Sequence, residues 1–178
     1  MQVSTHSLLL NYFREVVLVD TEFRPRGDGT QEVRCVCALE VASGREHRLW
    51  CDAPECCPYP VDLGSLFVAQ YASAELLSHD SLGWARPVNV LDTCVEFSAM
   101  TAGMRRQDQG RSLPAALTYF SLPHIDQEEK DEMRALALSD KRNQEFDVAE
   151  RTALLDYCWS DLVGMGNLLN RLEGFLCL

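Results

Sequence analysis

Residues 16 to 23 read VVLVDTEF, four apolar positions running into two carboxylates one residue apart. A β-branched run that is apolar on both faces belongs to an interior strand of a sheet covered on two sides, so the stretch constrains the chain to an α/β arrangement. Alternate residues of a strand share a face, so Asp20 and Glu22 project together at its C-terminal end, about 7 Å apart along the chain. Two carboxylates so placed repel each other unless a positive charge lies between them. A hard divalent cation such as Mg²⁺, which takes oxygen ligands, is one such partner. The alternative is a strand end opening into solvent with two hydrated acids.

The chain has 178 residues, 47% hydrophobic and 24% charged, which suits one domain, 1–178, with a real core. No apolar run approaches a membrane span, and MQVSTHSLLLNYFRE lacks the basic start and long apolar centre of a secretory signal, so a cytoplasmic location is expected. Eight cysteines occur without a C-x₂-C pair or a matching histidine spacing, and reduced thiols are expected. A metal option is left only at Cys51, Cys56 and Cys57. The four histidines, His6, His47, His79 and His124, show no triad-like spacing and read as structural or surface residues.

A net charge of −11 excludes nucleic-acid binding through a broad basic surface. Screening over roughly 8 to 10 Å still allows a local basic patch to act within an acidic whole. Two such patches stand out, Arg24 with Arg26, and Arg105, Arg106 and Arg111; each is also readable as solvated loop charge.

Turn chemistry at RPRGDGT and Ser43-Gly44 predicts a three-strand antiparallel meander, VVLVDTEF, EVRCVCALEV and REHRLWC. LFVAQYA and PVNVLDT predict one further short strand each, separated by a helix over SAELLSHDSLGW. The rest is mostly helical. DQEEKDEMRALAL opens on the capping pattern Asp126-x-x-Glu129, and the longest periodic stretch runs through EFDVAERTALLDYCWSDLVGMGNLLNRLE. Strands first and interleaved helices later predict a mixed sheet packed by helices. Within the last helix, Tyr157 and Asp161 are one turn apart and share a face, where a phenol and an acid can jointly hold a metal and aim a water. A tyrosine at the core margin and a surface aspartate would read the same way.

DTEF, FVAQYASAELLSH, NVLDT and YCWSD occur in the order and approximate spacing of the three exonuclease motifs of the DEDD superfamily. The chain resembles the tyrosine-containing subclass, most closely the 3′–5′ proofreading domain of family A DNA polymerases, over about residues 15 to 172. The resemblance implies a ribonuclease H-like fold, with a mixed five-stranded sheet, an antiparallel three-strand meander and flanking helices. It also implies two divalent ions, Mg²⁺ or Mn²⁺, and removal of nucleoside monophosphates from a single-stranded DNA 3′ end. On this pattern Asp20 bridges both metals, Glu22 and Asp161 bind the first, and Tyr157 positions the attacking water. Glu75 lands where the family has an aspartate reaching the second metal, and Tyr71 where it commonly has an asparagine; both are departures. Asp92 and Asp80 are the alternatives to Glu75. Phe23 and Tyr71 would stack on terminal bases, Arg24, Arg26, Arg105 and Arg106 would contact the backbone, and Thr21 and Asp92 complete the substrate-side set. A ribonuclease D-like RNA exonuclease and a degenerate, non-catalytic scaffold are the competing expectations. The apolar ending Phe175-Leu176-Cys177-Leu178 raises the expectation of a following domain, on this resemblance a polymerase.

Overall fold

The computed structural model describes residues 7–52, 56–104 and 110–176. Its centre is a five-stranded mixed sheet built from β1 (Glu15–Pro25), β2 (Gln31–Glu40), β3 (Arg45–Trp50), β4 (Ser65–Ala69) and β5 (Val90–Asp92), in the order β3-β2-β1-β4-β5. The first three strands form the antiparallel meander, and β4 and β5 add in parallel on the other side of β1. Tight turns make this possible: Gly29 and Gly44 take positive φ at the two meander turns, which costs glycine nothing.

β1 is interior, as its apolar run predicts. Val16 and Leu18 enter one core with Cys35, Cys37, Leu66, Val68 and residues of the long helix. Val17 and Val19 enter a second core with Phe67, Tyr59, Ala72 and Trp84. Burying whole apolar side chains is worth about 1.5 to 3 kcal/mol each, which explains why both faces are covered.

The second face is covered by α1 (Ser73–Leu82), which stops where Gly83 turns left-handed at φ 71°. The first is covered by α5 (Val148–Leu172), on which α2 (Thr93–Met100), α3 (Leu113–Tyr119) and α4 (Gln127–Ala137) pack. Asp147 caps α5 in a reciprocal capping box with Glu150, and Asp126 caps α4 by accepting from the Glu129 N–H at 2.9 Å. The predicted capping residue of α4 therefore performs that role, while α5 starts later than Glu145, where its periodic stretch begins.

Three thiols fix α5 against the sheet. Cys35 and Cys37 donate from β2 to the carbonyls of Leu154 and Leu155 at 3.8 and 3.6 Å, and Cys158 donates back to the Asp20 carbonyl at 3.2 Å. Small polarisable side chains let helix and strands approach closely, and this close approach sets α5 beside the end of β1. Among the described residues no helix is long and apolar enough to cross a membrane.

Candidate active site

The carboxyl end of β1 is where the acids gather. Asp20 and Glu22 follow Leu18 on the face toward α5, whereas Thr21 points the other way, buried and 3.1 Å from the Ser78 hydroxyl of α1. Ser78 in turn donates to Gln31 Oε1 at 2.6 Å, so Thr21 ties β1, α1 and β2 together. A bulge follows between Glu22 and Phe23, with Glu22 opposite Cys35 and Phe23 opposite Val33, so Arg34 is the extra residue. Phe23 is half-buried just beyond it.

Glu75 reaches the same place from the first turn of α1 and is only 4% exposed. α5 contributes Tyr157, buried, and Asp161, one turn further on. Burial, and after it the neighbouring Asp161, push the Asp20 carboxyl up to about 8. Glu22 is pushed well above the usual carboxylate range by burial and then by Asp20, and Glu75 by the same two causes in the same order. Burial and the Asp161 charge also raise the Tyr157 phenol, so it stays protonated. The acids are thus close enough to oppose one another's ionisation.

Lys130 of α4 answers part of that charge. Its Nζ lies 3.1 Å from Asp161 Oδ2 and 5.7 Å from the centroid of the Tyr157 ring. Among the described residues two carboxylate oxygens are buried and have no hydrogen-bonding partner, Asp20 Oδ2 and Glu75 Oε2. Unpartnered buried oxygens beside further acids fit a hard divalent cation in donor type and in charge. Among the described residues no three His, Cys, Asp or Glu side chains form a ready-made metal group, and Asp161 is engaged with Lys130.

The same finding applies to Cys51, Cys56 and Cys57, where the sequence left a metal option. Cys57 instead donates to the Tyr59 carbonyl at 3.5 Å, and Cys51 and Cys57 pack against the second core. His79 is fully buried between the Tyr59 hydroxyl and the Ala85 carbonyl, each at 2.9 Å, a structural role.

The remaining sequence-derived residues divide by what they touch. Asp92 accepts from four backbone N–H groups: Tyr71 at 3.1 Å, Ala72 at 2.9 Å, Cys94 at 2.8 Å and Val95 at 3.3 Å. Its carboxylate clamps the starts of α1 and α2. Tyr71 is exposed and left-handed at φ 69°, a conformation that asparagine adopts more readily than an aromatic residue. It borders a cleft of about 690 Å³ together with Gln70, Val95, Ser98 and Arg111. Arg24 is paired with Asp140 at 2.6 Å. Asp80 is paired with Arg86, away from the acidic cluster on the exposed end of α1. Arg105 and Arg106 lie outside the described residues.

Sequence reasoning missed Lys130 and Arg34. Lys130 is the one cation inside the acidic run DQEEKDE, and Arg34 the one charge inside VRCVC; each oddity was the available signal. The Arg34 side chain is fully buried and donates to the carbonyls of Ala137 at 3.1 Å and Ser139 at 2.9 Å and to Asn143 Oδ1 at 2.7 Å. A guanidinium on the last helical carbonyl, Ala137, and on the Ser139 carbonyl just beyond the cap satisfies both and opposes the negative end of the helix dipole, so Arg34 pins the C-terminal end of α4. Comparison with protein-family models and with curated proteins returned no match to this chain.

Proposed function

We propose that this chain is a metal-dependent 3′–5′ exonuclease with a ribonuclease H-like fold, hydrolysing single-stranded DNA ends to nucleoside monophosphates and serving a polymerase as its proofreading unit. The observation that carries the reading is the meeting of Asp20, Glu22, Glu75 and Asp161, drawn from one strand and two helices, with Asp20 Oδ2 and Glu75 Oε2 buried and unpartnered. The sheet order, antiparallel through β3, β2 and β1 and parallel through β4 and β5, is compatible with that fold.

The cluster of acids would hold divalent metal, Mg²⁺ or Mn²⁺. Bound there, such ions would lower the pKa of a coordinated water and offset charge on the entering and leaving oxygens. The chain's own groups do the rest. Tyr157, kept protonated, orients water by hydrogen bonding and does not surrender its proton. The cleft beside Tyr71 offers room for a terminal nucleotide, and the exposed ring a stacking surface for its base. An acidic protein that grips a few terminal nucleotides needs little phosphate neutralisation of its own.

One observation favours the non-catalytic alternative: Asp161 is already ion-paired to Lys130. The deciding experiment digests 5′-labelled single-stranded DNA and RNA side by side with Mn²⁺, using the parent and Asp20→Ala. A ladder of shortened DNA from the parent alone is expected. RNA shortened in preference would make it an RNA exonuclease, and intact strands in every lane would leave a scaffold.

A further inference from the structure

We infer that the site is built for one divalent ion, held on the Asp20 and Glu75 side, with the Lys130 ammonium acting at Asp161 in place of a second ion. The inference rests on the exonuclease reading above. Among the described residues the buried carboxylate oxygens without partners are Asp20 Oδ2 and Glu75 Oε2, and Glu75 is the most enclosed acid of the four. Asp161 has what they lack, an ammonium at 3.1 Å. The Lys130 charge eases Asp20 and Glu22 as well, but only Asp161 touches the ammonium, and the unpartnered oxygens of Asp20 and Glu75 have no such direct contact.

Lys130 is not a loose surface lysine that happens to lie near. The Lys130 and Asp161 side chains are 22% and 15% exposed, and the aromatic face of Tyr157 lies 5.7 Å from the ammonium. The helix that carries Lys130 is fixed at its far end by the Arg34 hydrogen bonds to Ala137 and Ser139 and by the Arg24–Asp140 pair. Its other charged residues near the site, Glu128, Glu129, Asp131 and Glu132, are exposed, so Lys130 alone of this stretch is directed inward. A second divalent ion at Asp161 would have to displace that ammonium or sit against it. Four carboxylates, one ammonium and one divalent ion leave the site with a single negative charge, against the balance that two divalent ions give in the family's pattern.

In the hydrolysis the water oxygen bonds to phosphorus and the bond from phosphorus to the 3′ oxygen breaks. The proton lost by the water is matched by the one gained at the departing oxygen. Lys130 takes no part in that exchange and contributes only positive charge beside the oxygens on which negative charge develops.

The test counts ions as well as rates. Mn²⁺ is titrated calorimetrically into the parent, Lys130→Arg, Lys130→Met and Asp20→Asn, and single-turnover cleavage of a labelled strand is measured for the first three. One ion per chain is expected for the parent and for Lys130→Arg, whose rate stays within about tenfold of the parent's. Lys130→Met frees Asp161 and is expected to take up a second ion, and to cut about 100-fold more slowly when only the first is bound. A parent that binds two ions, with Asp20→Asn reducing the count, overturns the inference and leaves the exonuclease reading standing. So does a Lys130→Met variant that stays at one ion or cuts at the parent rate. If Lys130→Met does not fold, the parent's ion count and Lys130→Arg decide. A parent with no Mn²⁺ uptake that Asp20→Asn removes would sink the exonuclease reading, and the inference with it.

Discussion

Glu75 shows at the scale of one residue how function opposes stability. It is 4% exposed, one of its oxygens has no partner, and burial followed by the Asp20 charge drives its carboxyl toward the protonated form. An acid so placed is a cost to the metal-free fold, and on the exonuclease proposal a bound cation would offset it. Glu75→Gln keeps the shape and removes the charge. It is therefore expected to raise the metal-free melting temperature, by the equivalent of about 1 kcal/mol, while shrinking the gain from added Mn²⁺ and nearly silencing cleavage. Glu75→Asp shortens the arm by one methylene, and geometry off by about 1 Å is enough to impair a catalytic group, so it too is expected to cut slowly. Thermal melts with chelator and with Mn²⁺, beside single-turnover assays, check these four outcomes; a Glu75→Gln variant that melts lower without metal and cuts normally would make this glutamate a packing residue.

At the scale of elements, Asp92 explains how the cleft keeps its shape. It ends β5, caps α2 through the N–H groups of Cys94 and Val95, and reaches back to those of Tyr71 and Ala72 at the start of α1. Those last two bonds hold the left-handed turn at Tyr71, which costs a non-glycine residue about 1 to 2 kcal/mol. Asp92→Ala leaves several of these donors without an acceptor, and a loss of about 2 to 4 kcal/mol is expected in chemical denaturation, from a lost cap plus unmet N–H groups. A loss under about 0.5 kcal/mol, the range of ordinary surface changes, would contradict the clamp. The same residue marks the limit of what the sequence makes legible. The β1 run, the meander turns and the cap Asp126 are local patterns, and local patterns survive into the fold. Asp92 reads from the sequence as a charge within NVLDT, whereas two of its four partners, Tyr71 and Ala72, come from a loop about twenty residues earlier in the chain. Lys130 and Arg34 escaped for a related reason: a lone cation in an acidic helix or an apolar strand has its meaning fixed by packing between α4, α5 and β2, which no periodicity encodes.

For the molecule as a whole, the acidic site couples stability to pH in a direction opposite to the usual one for carboxylates. Asp20 titrates at 3.8 in its ordinary state and at about 8 in the fold, because burial and Asp161 disfavour its charge. Between those values the folded state holds a proton that the unfolded chain has released, so its contribution to stability is complete below about pH 4 and is lost as the pH rises through about 8. Glu22 and Glu75, raised by the same causes, act in the same direction. The net charge of −11 adds general self-repulsion over the same range, so the site's share has to be isolated by comparison with a variant. On the proposed function a divalent ion would replace the protons, and its stabilising effect would grow as they become harder to keep. The melting temperature in chelator is therefore expected to fall between about pH 5.5 and about pH 8.5, and the gain from saturating Mn²⁺ to be larger at the upper end. Asp20→Asn removes one of these three acids and the charge that burdens the other two, and should make the chelator profile shallower and take away most of the Mn²⁺ gain. Scanning calorimetry of both proteins across that range, with and without Mn²⁺, decides the matter: a parent whose metal gain is the same at both ends, or an Asp20→Asn profile as steep as the parent's, would show that the acids at the end of β1 do not share one electrostatic site.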